Sequence, residues 1–145
     1  MNIPDTSSRD SLFQAEARRC KGILDEIESS DEESRHLCIF DELYSGTNPY
    51  EAVGSAYAFL QYLQNHVNAD VTYLLTTHYL ELCENMKEDG GVRNYYMDVK
   101  KQDREKEFEY TYKLKSGISK VKGGIKVLKD LEYPESIISY AEEYI

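Results

Sequence analysis

Two short apolar runs with a single helical stretch between them constrain this chain more than any other feature. His36–Asp41 (His-Leu-Cys-Ile-Phe-Asp) and Val71–Thr76 (Val-Thr-Tyr-Leu-Leu-Thr) are each bounded by polar residues and turn formers. Short runs that are apolar on both faces read as buried strands. Ser45-Gly46-Thr47-Asn48-Pro49 is a cluster of turn formers. From about Tyr50 to Val67, the residues Val53, Ala56, Tyr57, Leu60 and Leu63 make the buried stripe of a helix. Two strands joined through one helix form a βαβ crossover, and such a connection makes the strands parallel. The expected class is α/β.

The flanks extend this unit. Leu12, Ala15, Arg19, Ile23 and Ile27 recur at steps of three or four, so residues 11–28 read as an amphipathic helix, with Ser11, Asp10 or Ser8 as its cap. Glu28–Ser34 reads as a solvated loop or a fraying helix end. After His78 a short helix is expected to about Met86, and Glu88-Asp89-Gly90-Gly91 is a turn. Val92–Lys100 and Lys106–Leu114 read as strands, joined as an antiparallel hairpin by the charged link Lys101–Glu105. After the break at Ser116-Gly117, two helices are expected at about Ser119–Leu131 and Pro134–Tyr144. They form a helical hairpin with apolar Val121, Ile125, Val127, Leu128, Ile137, Ile138 and Ala141.

Composition narrows the function. The net charge of −10 makes the chain a poor stand-alone nucleic-acid binder, since phosphates need Lys and Arg to displace their counterions. The basic stretch Lys113–Lys129 reads as solvated lysines around a helical hairpin, with contact to DNA or to a partner's acidic face as the alternative. Tyr95, Tyr96, Tyr110 and Tyr112 read as ordinary sheet packing rather than as a stacking platform for adenine. No apolar run reaches the ~18–20 residues of a membrane span, and the N-terminus lacks the regions of a secretory signal. Cys20, Cys38 and Cys83 are odd in number and widely spaced. They fit a reducing intracellular compartment, cytoplasm or nucleus, better than a disulfide framework or a zinc site.

Chemistry concentrates at the ends of the two strands. Leu37-Cys38-Ile39-Phe40-Asp41-Glu42 is four apolar residues followed by two acids, the Walker B pattern of ABC-type nucleotide hydrolases. A parallel strand delivers its C-terminal end to the sheet edge where ligands bind in open α/β folds. There Asp41 can hold the Mg²⁺ that bridges nucleotide phosphates, and Glu42 can orient and deprotonate an attacking water. The bland alternative is a strand that happens to end in two acids. Thr76-Thr77-His78 follows the second strand and places an imidazole on the same edge, where it can contact a γ-phosphate. The bland alternative there is a histidine satisfied by a backbone carbonyl. Two acids and one histidine on adjacent strand ends converge in space, which favours a site.

Taken together, these motifs resemble the ATPase domain of the MutS family of DNA mismatch repair proteins. The resemblance rests on Phe40-Asp41-Glu42-Leu43-Tyr44-Ser45-Gly46-Thr47, followed by Thr77-His78-Tyr79-Leu80-Glu81-Leu82. Upstream, Ser11-Leu12-Phe13-Gln14-Ala15-Glu16 is similar to the family's Ser-Thr-Phe-x-x-Glu signature. Downstream, Gly124, Pro134, Ile137, Ile138 and Ala141 resemble its closing segment. The similarity covers about residues 8–145.

The resemblance implies the C-terminal half of an ABC-type P-loop ATPase domain. Residues 1–115 would hold the signature helix, Walker B acids, the switch histidine and the hairpin, and residues 116–145 a helical hairpin for dimerisation. It implies ATP and Mg²⁺ as cofactors, with Asp41 holding the metal through water, Glu42 activating water and His78 as the switch histidine. Ser11 would contact the nucleotide of an opposite MutS-like subunit, while Gly46 and Thr47 would link the two sites. Mismatched duplex DNA would be a partner through regions absent from this chain, and no membrane is involved. Arg9, Asp10, Leu12 and Ala52 depart from the family pattern. No Gly-x-x-x-x-Gly-Lys-Ser/Thr loop occurs, so the phosphates lack their principal holder. The expectation is a C-terminal fragment that begins just after that loop, with little or no ATP hydrolysis of its own. The alternatives are an inactive half-domain that dimerises with a full-length relative, and a fragment of another ABC-type chromosome-maintenance ATPase.

Overall fold

The computed structural model of the protein describes residues 11–88, 91–101, 108–121 and 123–144. The chain divides between Asn94 and Tyr95 into two compact units. The first contains α1 (Leu12–Glu28), β1 (Arg35–Asp41), α2 (Pro49–Asn65), β2 (Asp70–Thr76) and α3 (Leu80–Glu88). The expected crossover is present. β1 and β2 pair in parallel, from Arg35↔Asp70 to Asp41↔Thr76, with α2 between them in sequence.

Local chemistry sets the helix ends. Ser11 caps α1: its side chain accepts from the Gln14 N–H, and the Gln14 side chain accepts from the Ser11 N–H. This reciprocal capping box satisfies two donors that a helix start otherwise leaves open. Asn48 caps α2 through the Glu51 N–H at 3.0 Å, and Pro49 occupies the first turn, where no donor is lost. The core joins Cys20 and Ile27 of α1, Phe40 of β1, Ala52, Ala56, Phe59, Leu60 and Leu63 of α2, and Leu82 and Met86 of α3. Phe40 meets Phe59 edge-on, with ring centroids 5.7 Å apart.

The strands depart from the expectation of burial on both faces. Their residues alternate, and Leu37, Ile39 and Leu74 are 66, 73 and 60% exposed. The cause is one-sided packing. Cys38, Phe40, Val71, Tyr73 and Leu75 point into the helical core, and nothing among the described residues of this unit covers the opposite face.

The second unit holds the antiparallel pair β3 (Tyr95–Lys101) and β4 (Phe108–Ser116), then α4 (Gly123–Asp130) and α5 (Glu135–Tyr144). The expected turn at 88–91 and the hairpin link at 101–105 fall largely outside the described residues. A register shift between Met97 and Val99 buries Asp98. The Asp98 carboxylate pairs with Lys115 at 2.9 Å and accepts from the Thr111 hydroxyl at 3.3 Å. Tyr95, Tyr110 and Tyr112 are exposed rather than packed in the sheet, because a two-stranded ribbon offers them no second layer. The first closing helix starts later than expected, since the Ser119 hydroxyl takes the Val121 N–H and holds the chain out of the helix. α4 ends in a Schellman motif: Glu132 stands at φ 54°, its N–H reaches the Lys129 carbonyl, and the Tyr133 N–H reaches the Leu128 carbonyl. Three of the six lysines of the basic stretch are paired in place, Lys115 on Asp98, Lys126 on Asp130 and Lys129 on Glu142. Among the described residues, no helix is long and apolar enough to cross a membrane.

The Asp98–Lys115 pair makes a pH-dependent contribution with a definite sign. The Lys115 ammonium beside Asp98 holds that carboxyl below its ordinary value of 3.8, and Asp98 in turn raises Lys115 above 10.5. Stability from Asp98 is therefore complete above its unfolded pKa and lost as pH falls through the depressed folded value. Stability from Lys115 is complete below its unfolded pKa and lost as pH rises through the raised folded value. Thermal melts across pH 2–11 should show Asp98→Asn flattening both limbs, with its largest deficit near neutral pH.

Candidate functional site

The parallel register brings the chemistry together. Because Asp41 pairs with Thr76, the C-terminal ends of β1 and β2 lie side by side. The Thr76 hydroxyl donates to Asp41 Oδ1 at 2.5 Å, and the Glu42 N–H donates to the Thr76 carbonyl at 3.0 Å. Glu42 then turns into the left-handed region, at φ 53°. From there its Oε1 lies 2.8 Å from His78 Nε2. The Thr77 hydroxyl accepts from the Tyr79 N–H at 3.0 Å, a local turn that presents His78 immediately before α3. Asp41, Glu42, Thr76 and His78 thus share one edge. His78 is 89% exposed and Glu42 45%, so both face solvent. A carboxylate in contact with an imidazole can take a proton from water, and the imidazole can donate to an anion.

The loop after β1 connects this edge to the start of α1. Tyr44, at φ 58°, is buried. Its ring packs on Phe13 at 5.8 Å and on Phe59 at 6.4 Å. Burial pushes the Tyr44 hydroxyl well up and the Cys20 thiol beside it up, so neither ionises near neutral pH and Cys20 is a core residue rather than a nucleophile. The Ser45 hydroxyl donates to Glu16 Oε1 at 2.9 Å, and the Gly46 N–H donates to Glu16 Oε2 at 3.0 Å. Gly46 lies against the helix start itself. A Cβ there would sit 2.5 Å from the Phe13 nitrogen and 2.9 Å from the Leu12 carbonyl carbon. Only glycine lets the loop approach so closely. Thr47 donates to Glu51 at 2.8 Å and belongs to the capping arrangement of α2.

Of the residues singled out in the sequence, Asp41, Glu42 and His78 come together at the strand ends. Ser11 caps α1, and Gly46, at the far end of the 42–47 loop, packs against the same helix start. Two participants escaped sequence reasoning. Thr76 belongs by sequence to a polar strand end, and the parallel register makes it the partner of Asp41. Glu16 stands inside the signature-like run, and no local rule pairs it with donors 29 and 30 residues away.

A family profile described as MutS domain V matches residues 4–145. The chain is 35% identical over 136 residues to the DNA mismatch repair protein MutS of Bacteroides fragilis (strain YCH46), covering 94% of this chain and 15% of that protein. It is 35% identical over 111 residues to MutS of Aquifex pyrophilus, covering 77% of this chain and 12% of that protein. For MutS of Caldicellulosiruptor bescii the identity is 32% over 141 residues, covering 97% and 16%. The chain therefore spans only about a seventh of the length of these relatives.

The close approach at Gly46 is directly testable. Gly46→Ala forces the loop off α1, and overpacking of this kind typically costs ~1–3 kcal/mol. Gly54→Ala, in α2 with open space around its Cβ position, should instead stabilise by ~0.5–1 kcal/mol. Urea melts of the two variants should move in opposite directions.

Proposed function

The chain belongs to the MutS family, and from that premise we propose that it serves as the C-terminal part of a MutS-type ATPase domain in DNA mismatch repair. The observation that carries this reading is the contact of Glu42 with His78 beside Asp41, at the C-terminal edge of a parallel strand pair. In this reading ATP is the substrate and its γ-phosphate faces that edge. Glu42 orients the attacking water and accepts its proton. His78, exposed and held by Glu42, donates toward the phosphate.

The donor set at Asp41 suits Mg²⁺. A carboxylate with a neighbouring hydroxyl is hard oxygen chemistry, and Mg²⁺ takes one or two carboxylates, retained waters and substrate phosphates rather than an all-protein cage. When bound, the ion neutralises charge on the β- and γ-phosphates. Asp41 would hold it through water, oriented by the Thr76 hydroxyl.

Ser11 stands at the N-terminus of a 17-residue helix, where the helix dipole favours an anion, although the capping box already takes the Ser11 and Gln14 amides. In a head-to-tail pair of subunits that anion would be the nucleotide of the opposite subunit. Gly46 and Thr47 would follow the link between the two sites. The closing pair α4 and α5 leaves Val127, Leu131, Ile137 and Tyr140 exposed, which supports a second MutS-like subunit as the partner. Contact with mismatched duplex DNA would fall to other parts of the assembly, in keeping with this chain's charge of −10.

A second reading, a binding half-domain without catalysis, is favoured by the bare apolar face of Leu37, Ile39 and Leu74. Parallel sheets are ordinarily covered on both faces. Supplying the missing phosphate loop separates the two. The purified 145-residue chain should show no ATP-dependent thermal shift at millimolar nucleotide with Mg²⁺, and no phosphate release above background. A phosphate-loop half of the domain, fused or added in trans, should confer both under the first reading and neither under the second. In the complemented protein, Glu42→Gln should lower hydrolysis by the ~10²–10⁴ typical of losing a general base, with nucleotide affinity little changed. Parental turnover in that variant would remove Glu42 from the water-activating role.

A further inference from the structure

The loop that carries Glu42 is held in a conformation it would not adopt alone. Two of its non-glycine residues, Glu42 and Tyr44, stand at φ 53° and 58°. Left-handed backbone at such residues is unfavourable and persists only where surrounding contacts over-determine it. At one end the Glu42 N–H is fixed by Thr76. In the middle the Tyr44 ring is buried between Phe13 and Phe59. At the other end both oxygens of a single carboxylate, Glu16, take the Ser45 hydroxyl and the Gly46 N–H.

We propose that Glu16 is a positioning residue: by clamping Ser45 and Gly46 to α1 it sets the backbone of the 42–47 loop and so the place of Glu42 against His78. The inference rests on the ATPase reading for its consequence, though the geometry it asserts is separate from that reading. The clamp acts beside the other ties between the loop and α1, the Tyr44 hydroxyl bonded to the Cys20 thiol and the Tyr44 ring on Phe13. Glu16 lies on the helix whose first residue follows the Ser11 cap, and its two donors lie on the loop whose first residue is Glu42. A displacement of the α1 start, such as engagement of Ser11 with an anion, would therefore be felt at Glu42 through the Glu16 carboxylate. Both oxygens of one side chain are engaged at ordinary hydrogen-bond lengths, 2.9 and 3.0 Å, so the loop is held at two adjacent residues at once. Gly46 adds the second requirement, since the N–H that Glu16 grips is available only because the loop lies within contact of Phe13 and Leu12.

The test uses the whole 145-residue chain and nuclear magnetic resonance, with the Gly46 amide and the His78 ring as reporters. Glu42→Ala, which removes the group 2.8 Å from His78 Nε2, calibrates how far the His78 ring signals move. Glu16→Ala should speed hydrogen exchange at the Gly46 amide by roughly 10–100-fold. It should also shift the His78 ring signals in the same sense as Glu42→Ala. Glu16→Gln should restore both, since its oxygen can accept from Gly46 and its amide can donate to the Ser45 hydroxyl. In the Glu42→Ala background, Glu16→Ala should move His78 no further, as expected of residues acting in series. Ser45→Ala, which leaves Glu16 and Gly46 in place, should give a smaller shift of the same kind, and it carries the test if Glu16→Ala does not fold. If Glu42→Ala moves the His78 signals and neither Glu16→Ala nor Ser45→Ala does, the positioning role is overturned while the site reading stands. If Glu42→Ala leaves His78 unmoved, the Glu42–His78 contact fails, and both readings fall with it.

Discussion

The parallel register of β1 against β2 is the constraint on which the rest of the site depends. Side chains alternate along a strand, so a slip of one residue would turn Phe40 out of the core and carry Asp41 away from Thr76. The register is set from within. Cys38 and Phe40 of β1 and Val71, Tyr73 and Leu75 of β2 must all face the same helices. Phe40 is fastened further by Phe59 of the crossover helix. Hydrophobic packing on one face thereby decides which polar groups meet at the strand ends. The Asp41–Thr76 bond and the Glu42 N–H to Thr76 carbonyl bond are consequences of burial a few residues earlier.

The second requirement is a tight connection between that edge and α1. The 42–47 loop uses three devices at once: left-handed backbone at Glu42 and Tyr44, an aromatic wedge, and a glycine pressed against a helix start. Each is costly or restrictive alone. Together they hold six residues in one path, in which Glu42 turns toward His78 and Gly46 returns to Phe13. The site is thus carried on a rigid frame although His78 itself is almost fully exposed.

Much of this was legible in the sequence because it is written in local patterns. The apolar runs, the helical spacing of Val53, Ala56, Leu60 and Leu63, and the Asn48-Pro49 start are short-range signals, and the parallel βαβ arrangement followed from them. The acids after β1 and the histidine after β2 were legible for the same reason, since strand ends converge once the strands are known to be parallel. What could not be read depends on distant parts of the chain. Burial on both faces was expected for Leu37 and Leu74, but apolar composition records what a face can tolerate, not what covers it. The Glu16 clamp spans about thirty residues and follows no periodicity. The start of α4 was misjudged because the Ser119 hydroxyl competes with the helix for a backbone donor, which a hydrophobic pattern cannot register. The exposed tyrosines of β3 and β4 were misjudged for a related reason, since alternation along a strand does not reveal whether a second layer exists.

The one-sided sheet also bears on how the chain persists once it is made. Among the described residues β1 and β2 form a sheet of only two strands, each with an outer edge, and one apolar face lies open. Unpaired strand edges beside exposed Leu and Ile are templates for adding another strand, whether the intended one or a stray one. Anything that binds the folded chain and covers that face shifts the folding equilibrium by mass action. The steady-state amount of this protein in a cell would then track the supply of whatever completes the sheet. Produced in excess of that supply, it would become a substrate for chaperones and proteases, so its level would be set by stoichiometry as much as by expression.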